Sequence, residues 1–143
     1  MTCTFFGHKD TPLSVEAELM KILTELIEKD GVERFYVGNQ GSFDRMAVNC
    51  LVKLKKIYQI DFAVVIAYID EAKNDDLPTV YPEGMEYVPR RFAIDRRNFW
   101  MVNASDVVVA YVKRGYGGAK KFRDLAEGKG KRIIDIAGEY GEG

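Results

Sequence analysis

Two adjacent arginines and an asparagine, Arg96-Arg97-Asn98, lie on a predicted helix that precedes an apolar strand at residues 107–112. That strand leads into Gly115-Tyr116-Gly117-Gly118, a turn that opens another predicted helix. Free N–H groups and the dipole at a helix N-terminus favour an anion, and arginine is a permanently charged donor shaped for phosphate or carboxylate. The sequence therefore predicts a site for a phosphorylated small molecule. The predicted binding residues in these segments are Arg96, Arg97, Asn98, Gly117 and Gly118.

Apolar strand patterns alternate with amphipathic helical patterns along most of the chain. The predicted strands are residues 2–6, 34–37, 61–68, 107–112 and 131–136. Buried strands that alternate with helices are typical of a parallel sheet with helices on both faces. The sequence therefore predicts an α/β, Rossmann-like, doubly wound and mainly parallel sheet of about five strands in the order 3-2-1-4-5. Residues 1–137 are expected to form a single domain.

Residues 69–91 break this alternation. They are acidic at first and then contain Pro78, Pro82 and Pro89. A connection this long inside a compact domain is usually functional or mobile, so we expect an inserted loop or lid. The glycine-rich residues 138–143 are expected to form a flexible tail.

Glycines and polar residues follow the first two predicted strands. In a doubly wound sheet, ligands bind beyond the carboxyl ends of the strands, where the strand order reverses. The residues that we expect at this rim, in addition to Gly117 and Gly118, are Gly7, His8, Gly38, Asn39, Gln40, Gly41 and Asp44.

Two of these rim residues allow alternative interpretations. His8 is the only histidine, and its ordinary pKa near 6.5 suits proton transfer or contact with an anion. It could equally be a loop side chain bonded to a carbonyl group. Asp44 could accept hydrogen bonds from ribose hydroxyls, with Asn39 and Gln40 binding a base or sugar, or it could cap its own helix.

Composition narrows the classes of function. The chain has 143 residues, with 21 Lys and Arg against 22 Asp and Glu, and this balance disfavours a dedicated nucleic-acid binder. Cys3 and Cys50 lie in apolar patterns and are predicted to be small buried hydrophobes. No metal site and no cofactor are predicted. The sequence shows neither a secretory signal pattern nor an apolar run of roughly 20 residues, so we expect a cytoplasmic protein without a membrane partner.

Six short segments occur in a set order along most of the chain. They are Phe6-Gly7-His8-Lys9, Val37-Gly38-Asn39-Gln40-Gly41-Ser42-Phe43-Asp44, Tyr81-Pro82-Glu83-Gly84, Arg96-Arg97-Asn98, Ser105-Asp106 and Gly117-Gly118-Ala119. In this order they resemble the SLOG superfamily, which includes DNA-processing proteins and the LOG phosphoribohydrolases. The nearest likeness is to the short, single-domain YpsA-like branch.

The resemblance implies roles for two residues. The LOG enzymes cleave the N-glycosidic bond of a nucleoside monophosphate with an arginine before the fourth strand and a glutamate after the glycine turn. Arg97 and Asp124 fall at these positions and are the implied catalytic residues. This chain differs from the LOG pattern, however, because Lys120-Lys121 replaces Gly-Thr and Tyr116 replaces a proline.

Because of these differences, binding of a nucleotide or nucleotide-derived ligand at the rim is the first hypothesis for function. An enzyme that acts on an N-glycosidic bond, either a phosphoribohydrolase or a deoxyribosyltransferase-like protein, is the alternative. Binding of single-stranded DNA is a third and less favoured hypothesis, because the chain has no net basic charge. Since related proteins often self-associate, a homo-oligomer is also an open alternative.

Overall fold

The computed structural model describes residues 1–72 and 76–138. The predicted tail therefore lies outside the described residues from position 139 onward. The strands are β1 (Thr2–Gly7), β2 (Arg34–Val37), β3 (Asp61–Val65), β4 (Thr79–Val80), β5 (Val107–Tyr111) and β6 (Arg132–Asp135). The α-helices are α1 (Glu16–Asp30), α2 (Ser42–Lys55), α3 (Ala93–Ala104) and α4 (Gly118–Gly128). Short 3₁₀ turns occupy Leu13–Val15, Ile69–Ala72, Met85–Tyr87 and Arg90–Phe92.

The described strands form one sheet in the order β4-β3-β2-β1-β5-β6, and every neighbouring pair is parallel. The predicted order of five strands is confirmed. The sixth strand, β4, is an addition that the sequence did not predict. It extends the edge of the sheet through the Val64 N–H to the Pro78 carbonyl (2.8 Å) and the Ile66 N–H to the Val80 carbonyl (2.9 Å). A strand of two residues is too short to show an alternating pattern.

Helices cover both faces of the sheet, as expected for a doubly wound fold. Phe5 of β1 belongs to the core formed with Leu23 of α1 and Leu51 of α2. Phe6, the next residue, belongs to the opposite core with Met101 of α3 and Phe122 of α4. Successive side chains of a strand point to opposite faces, so these two apolar cores fix the strands between two layers of helices.

The described part of residues 69–91 packs against the domain. Met85 is buried with Ala67 and Ala93, and Tyr81 packs against the same cluster. The Arg90 guanidinium lies over the Tyr68 ring, 4.1 Å from its centroid. These contacts attach the insertion to the start of α3.

Two further observations bear on the class of protein. Cys3 and Cys50 are free and buried, as the sequence predicted. Burial raises the pKa of the Cys50 thiol to about 11. No helix in the described part of the chain has both the length and the apolar character needed to cross a membrane.

Candidate functional site

A cavity of about 630 Å³ opens at the carboxyl ends of β1 and β5. The strand order reverses between these two strands, and that is where ligands bind in open α/β sheets. Residues 7–10 after β1 and residues 116–119 after β5 form two walls. Gln40 and Asp44 form a third wall, and α3 closes the cavity. The structure thus brings the predicted rim segments after β1, β2 and β5 to one cavity.

Arg97 is the largest buried polar side chain facing this cavity, with only 1% of its surface exposed. Its Nε donates to Asn98 Oδ1 (2.8 Å), and its Nη1 donates to the Val65 carbonyl (2.7 Å) and to Asn39 Oδ1 (3.1 Å). These acceptors are all neutral. Within the described part of the chain, Arg97 forms no salt bridge.

The remaining nitrogen of this guanidinium is available to a ligand. Nη2 donates to no described residue. Among the described residues, the one fully enclosed side-chain atom without a hydrogen-bond partner is Ser105 Oγ, so Nη2 is not fully enclosed. Arg97 lines the cavity, so we expect Nη2 to be the nitrogen that a ligand there would contact. Burial lowers the pKa of Arg97, against the opposing effect of Asp44, but an arginine stays charged at any physiological pH. Arg97 therefore contributes a fixed positive charge to the cavity, and no described carboxylate forms an ion pair with it.

The N-terminus of α4 opens into the same cavity. Gly117 precedes the helix with a φ of 97°, and Gly118 and Ala119 line the cavity. The first helical hydrogen bond runs from the Lys121 N–H to the Gly117 carbonyl (3.0 Å). The N–H groups of residues 118–120 have no backbone or side-chain acceptor among the described residues. Free N–H groups at a helix N-terminus bind anions.

The start of α2 is hydrogen-bonded to the loop after β1. The Ser42 N–H donates to the Lys9 carbonyl (2.8 Å), and Ser42 Oγ donates to the Thr11 carbonyl (2.7 Å). Gly41 has a φ of 100°, and a Cβ there would lie 2.5 Å from Lys9 Cα. Only glycine allows the two loops to approach this closely, so this contact fixes the cavity wall.

Asp44 is half-buried beside Arg97 and lines the cavity. Its Oδ2 accepts a hydrogen bond from the Gln40 N–H (2.8 Å), four residues earlier. Burial raises the pKa of Asp44 to about 6, although the Gln40 N–H and the Arg97 charge lower it. The N-cap of α2 is Gly41, without a side-chain cap hydrogen bond, so Asp44 does not cap its helix as an N-cap residue; from inside the first turn it binds the turn before the helix, and it lines the cavity.

Asp44→Asn is expected to change how folding stability depends on pH. Because the pKa of Asp44 is raised in the folded state, its stabilising effect is present below the unfolded pKa and is lost as pH rises through about 6. Asparagine stays neutral, and its Oδ1 can still accept from Gln40. Between about pH 4 and pH 8 the variant should therefore gain about 2 kcal/mol relative to the unmodified protein, as measured by urea unfolding.

Asp10→Asn is the control with the opposite sign. The hydrogen bond from Arg114 lowers the pKa of Asp10, so its stabilising effect is lost as pH falls. This variant should lose stability relative to the unmodified protein as pH rises. A constant difference between Asp44→Asn and the unmodified protein at all pH values would contradict the account of Asp44.

His8 lines the cavity and also joins the loops after β1 and β5. Its Nε2 accepts a hydrogen bond from the Lys113 N–H (2.9 Å), so the ring bonds a backbone N–H rather than the carbonyl that sequence reasoning considered. Burial, together with the Arg114 charge, lowers the pKa of His8. A neutral ring that carries its proton on Nδ1 fits this geometry.

Five predicted residues do not line the large cavity: Gly38, Asn39, Gly41, Arg96 and Asp124. Arg96 is exposed and lies outside it. Asp124 is ion-paired with Lys120 and Arg123, also outside the cavity. Burial acts to raise the pKa of Asp124, but the hydrogen bonds from Lys120 and Arg123 dominate and lower it. The charge of this carboxylate is therefore already neutralised away from the cavity.

The cavity also includes residues that sequence reasoning did not select. Arg114 and Asp10 form a salt bridge (2.6 Å) that joins the loops after β5 and β1. Tyr116 lines the cavity with 72% of its surface exposed. The sequence did contain a signal for them, because each follows the end of a predicted strand at the same rim.

A second cavity, of about 370 Å³, lies beside the first at the carboxyl ends of β2 and β3. Gly38 and Asn39 line this second cavity rather than the first, and Asp44 lines both. A Cβ on Gly38 would lie 2.9 Å from Asp44 Oδ2 and 3.2 Å from Arg97 Cζ. Gly38 therefore allows the Asp44 and Arg97 side chains to approach the backbone between the two cavities.

No family model matches this chain, and no curated protein matches it. Among residues 1–72 and 76–138, no group of three or more His, Cys, Asp or Glu side chains could hold a metal ion. The resemblance to the SLOG superfamily therefore stays a prediction, and the geometry of the cavity carries the functional evidence.

Proposed function

We propose that this protein is a SLOG-like domain that binds a nucleotide or nucleotide-derived ligand at the carboxyl rim of its sheet. One observation carries the proposal. The Arg97 guanidinium, which no described carboxylate pairs, and the free N–H groups at the start of α4 converge on one cavity. This arrangement suits a phosphate, which accepts both charge-assisted and backbone hydrogen bonds.

The size and polarity of the cavity support a ligand larger than a free anion. Its volume of about 630 Å³ is in the range of small-molecule sites, roughly 300–1,000 Å³. The Asn98 Oδ1 is used by Arg97, while its NH₂ group donates to no described residue and remains available. Asp44 offers acceptors for sugar hydroxyls. The ligand that fits these groups has a phosphate at Gly117-Gly118 and Arg97 and a ribose near Asp44 and Asn39.

Gly118→Val is expected to block the phosphate position without unfolding the protein. A Cβ on Gly118 meets no atom within 4 Å, and its φ is not positive, so the substitution causes no steric clash, and because Gly118 lines the cavity we expect the added side chain to occupy the phosphate position. A nucleotide at about 100 times its Kd should stabilise the unmodified protein by about 2.7 kcal/mol, which raises Tm by roughly 5–10 °C for a chain of this size. The variant should lose this shift in a thermal-shift panel of nucleotides.

Gly128→Val is the matched control. Gly128 ends the same helix, and a Cβ there also meets nothing within 4 Å, but it does not line the cavity. This variant should keep the shift. Equal shifts in both variants would contradict a phosphate at the start of α4, and no shift of the unmodified protein with any nucleotide would contradict the function.

An enzyme acting on an N-glycosidic bond is the second candidate, and Asp44 is the observation that favours it. A half-buried carboxylate with a pKa of about 6 suits proton transfer near neutral pH. Arg97 beside it would hold the phosphate, so that the ribose, where positive charge develops as its bond to the base breaks, would lie beside the Asp44 carboxylate. In this hypothesis Asp44, rather than Asp124, is the reacting carboxylate.

Release of free base from a nucleoside monophosphate tests this second candidate. Chromatography of the reaction products should show base release by the unmodified protein and its loss in Asp44→Asn. Asp124→Ala should keep the activity, since Asp124 lies outside the cavity. If Asp124→Ala were inactive and Asp44→Asn active, the role implied by the resemblance would be restored.

A further inference from the structure

We infer that the second cavity is the nucleobase pocket of the same ligand, so that the ligand lies along the rim from β5 to β2 and β3. This inference rests on the proposed function, because it needs a phosphate at the start of α4. Beyond that function, we assign recognition of the nucleobase to the residues that line the second cavity.

Continuity between the cavities is the first argument. Asp44 lines both of them, and the hydrogen bond from Arg97 Nη1 to Asn39 Oδ1 joins a residue of the first cavity to one of the second. The Asp44 and Arg97 side chains both pack against Gly38, where a Cβ would lie 2.9 Å from Asp44 Oδ2 and 3.2 Å from Arg97 Cζ, so these two side chains form the boundary between the cavities. A sugar bound at Asp44 would therefore lie between the two cavities.

The distance along the rim is the second argument. The phosphate position lies at the end of β5, and the second cavity begins at the end of β2, two strands away. Neighbouring strands are spaced by about 4.8 Å, so the separation is about 10 Å. This is comparable to the length of a phosphorylated nucleoside, with the ribose in the middle.

The lining of the second cavity is the third argument. Val48, Val64 and Leu77 provide apolar walls, and Asn39 and Asn49 provide amide groups. Apolar walls suit the faces of an aromatic base, and amides suit the donors and acceptors at its edge. Arg45 also lines this cavity and adds a donor for a carbonyl oxygen or ring nitrogen of the base.

Val48→Phe tests the inference by filling the second cavity from α2. The probes are AMP, GMP, CMP and UMP, with ribose 5-phosphate as the ligand that lacks a base, measured by isothermal titration calorimetry. The variant should bind the preferred nucleotide about tenfold or more weakly, since the excluded base would lose its apolar contacts with the cavity walls. Its affinity for ribose 5-phosphate should stay unchanged.

Val52→Phe is the control, because Val52 is partly buried one turn later on α2 and lies outside the cavity. Asn49→Ala is the second variant, since Asn49 is exposed and its loss should change the ranking of the bases without unfolding the protein. Unchanged nucleotide affinity and ranking in Val48→Phe and Asn49→Ala would overturn the inference while leaving the proposed function intact. If the unmodified protein bound neither nucleotides nor ribose 5-phosphate, both would fail.

Discussion

Arg97→Ala is expected to lower the free energy of unfolding by about 2–4 kcal/mol and to weaken nucleotide binding about 100-fold or more. Truncation leaves the Val65 carbonyl, Asn39 Oδ1 and Asn98 Oδ1 without the donor that they share. The Val65 carbonyl is buried, so the loss of its charged donor accounts for most of the loss of stability, whereas Asn39 is exposed and Asn98 is half-buried. The loss of binding follows because the buried positive charge in the cavity disappears. Urea unfolding measures the first effect and calorimetric titration the second.

Arg96→Ala is the matched control for Arg97→Ala. The two arginines are adjacent, but Arg96 is exposed and outside the cavity. Its truncation should change stability by less than about 0.5 kcal/mol and should leave binding unchanged. Equal effects of the two substitutions would contradict the separate roles assigned here.

Gly41→Ala is expected to destabilise the protein by about 3 kcal/mol or more. Part of this loss is strain, because Gly41 has a φ of 100°, where a Cβ is unfavourable. The larger part comes from the clash with Lys9 Cα at 2.5 Å. Relief of that clash would separate the loop after β1 from α2 and weaken the bond from the Ser42 N–H to the Lys9 carbonyl.

Gly84→Ala measures the cost of backbone strain without a steric clash. Gly84 has a similar φ of 89°, but a Cβ there would meet nothing within 4 Å. Its substitution should therefore cost only about 1 kcal/mol, the strain alone. Urea unfolding of both variants compares the two costs, and equal losses would mean that the contact between Gly41 and Lys9 does not hold the loops together.

Sequence patterns predicted the layers of the fold because those layers depend on local periodicity. Phe5 and Phe6 alternate between two cores, and buried Val108 and Val109 do the same. The strand β4 escaped prediction because its two residues gain their partners only from the edge of β3.

The sequence alone could have shown that Arg97, rather than Arg96, is the buried arginine. Consecutive residues on a helix point about 100° apart, so only one of the pair can face the cavity directly. Ala93, Arg97 and Met101 are buried at intervals of four residues, which places Arg97 on the inner face of α3. Spacing of this kind marks one helix face.

The surroundings of Asp124 and the existence of the second cavity could not be predicted from the sequence. Asp124 lies six residues after Gly118 on α4, about 9 Å farther along the helix axis, where Lys120 and Arg123 bind it. A motif position alone does not reveal which neighbours a carboxylate meets. The second cavity forms where α2 approaches the end of β3, and that contact depends on tertiary packing.

Amide NMR during titration with AMP, GMP, CMP and UMP tests the central claim most directly. We expect one or more of these nucleotides to shift the backbone N–H resonances of Gly118, Ala119 and Lys120 and the Arg97 Nε–H resonance more than those of the rest of the chain. These are the donors assigned to the phosphate and the anchored guanidinium beside it. Spectra that stay unchanged with every nucleotide, or shifts confined to residues outside the cavity, would contradict the central claim.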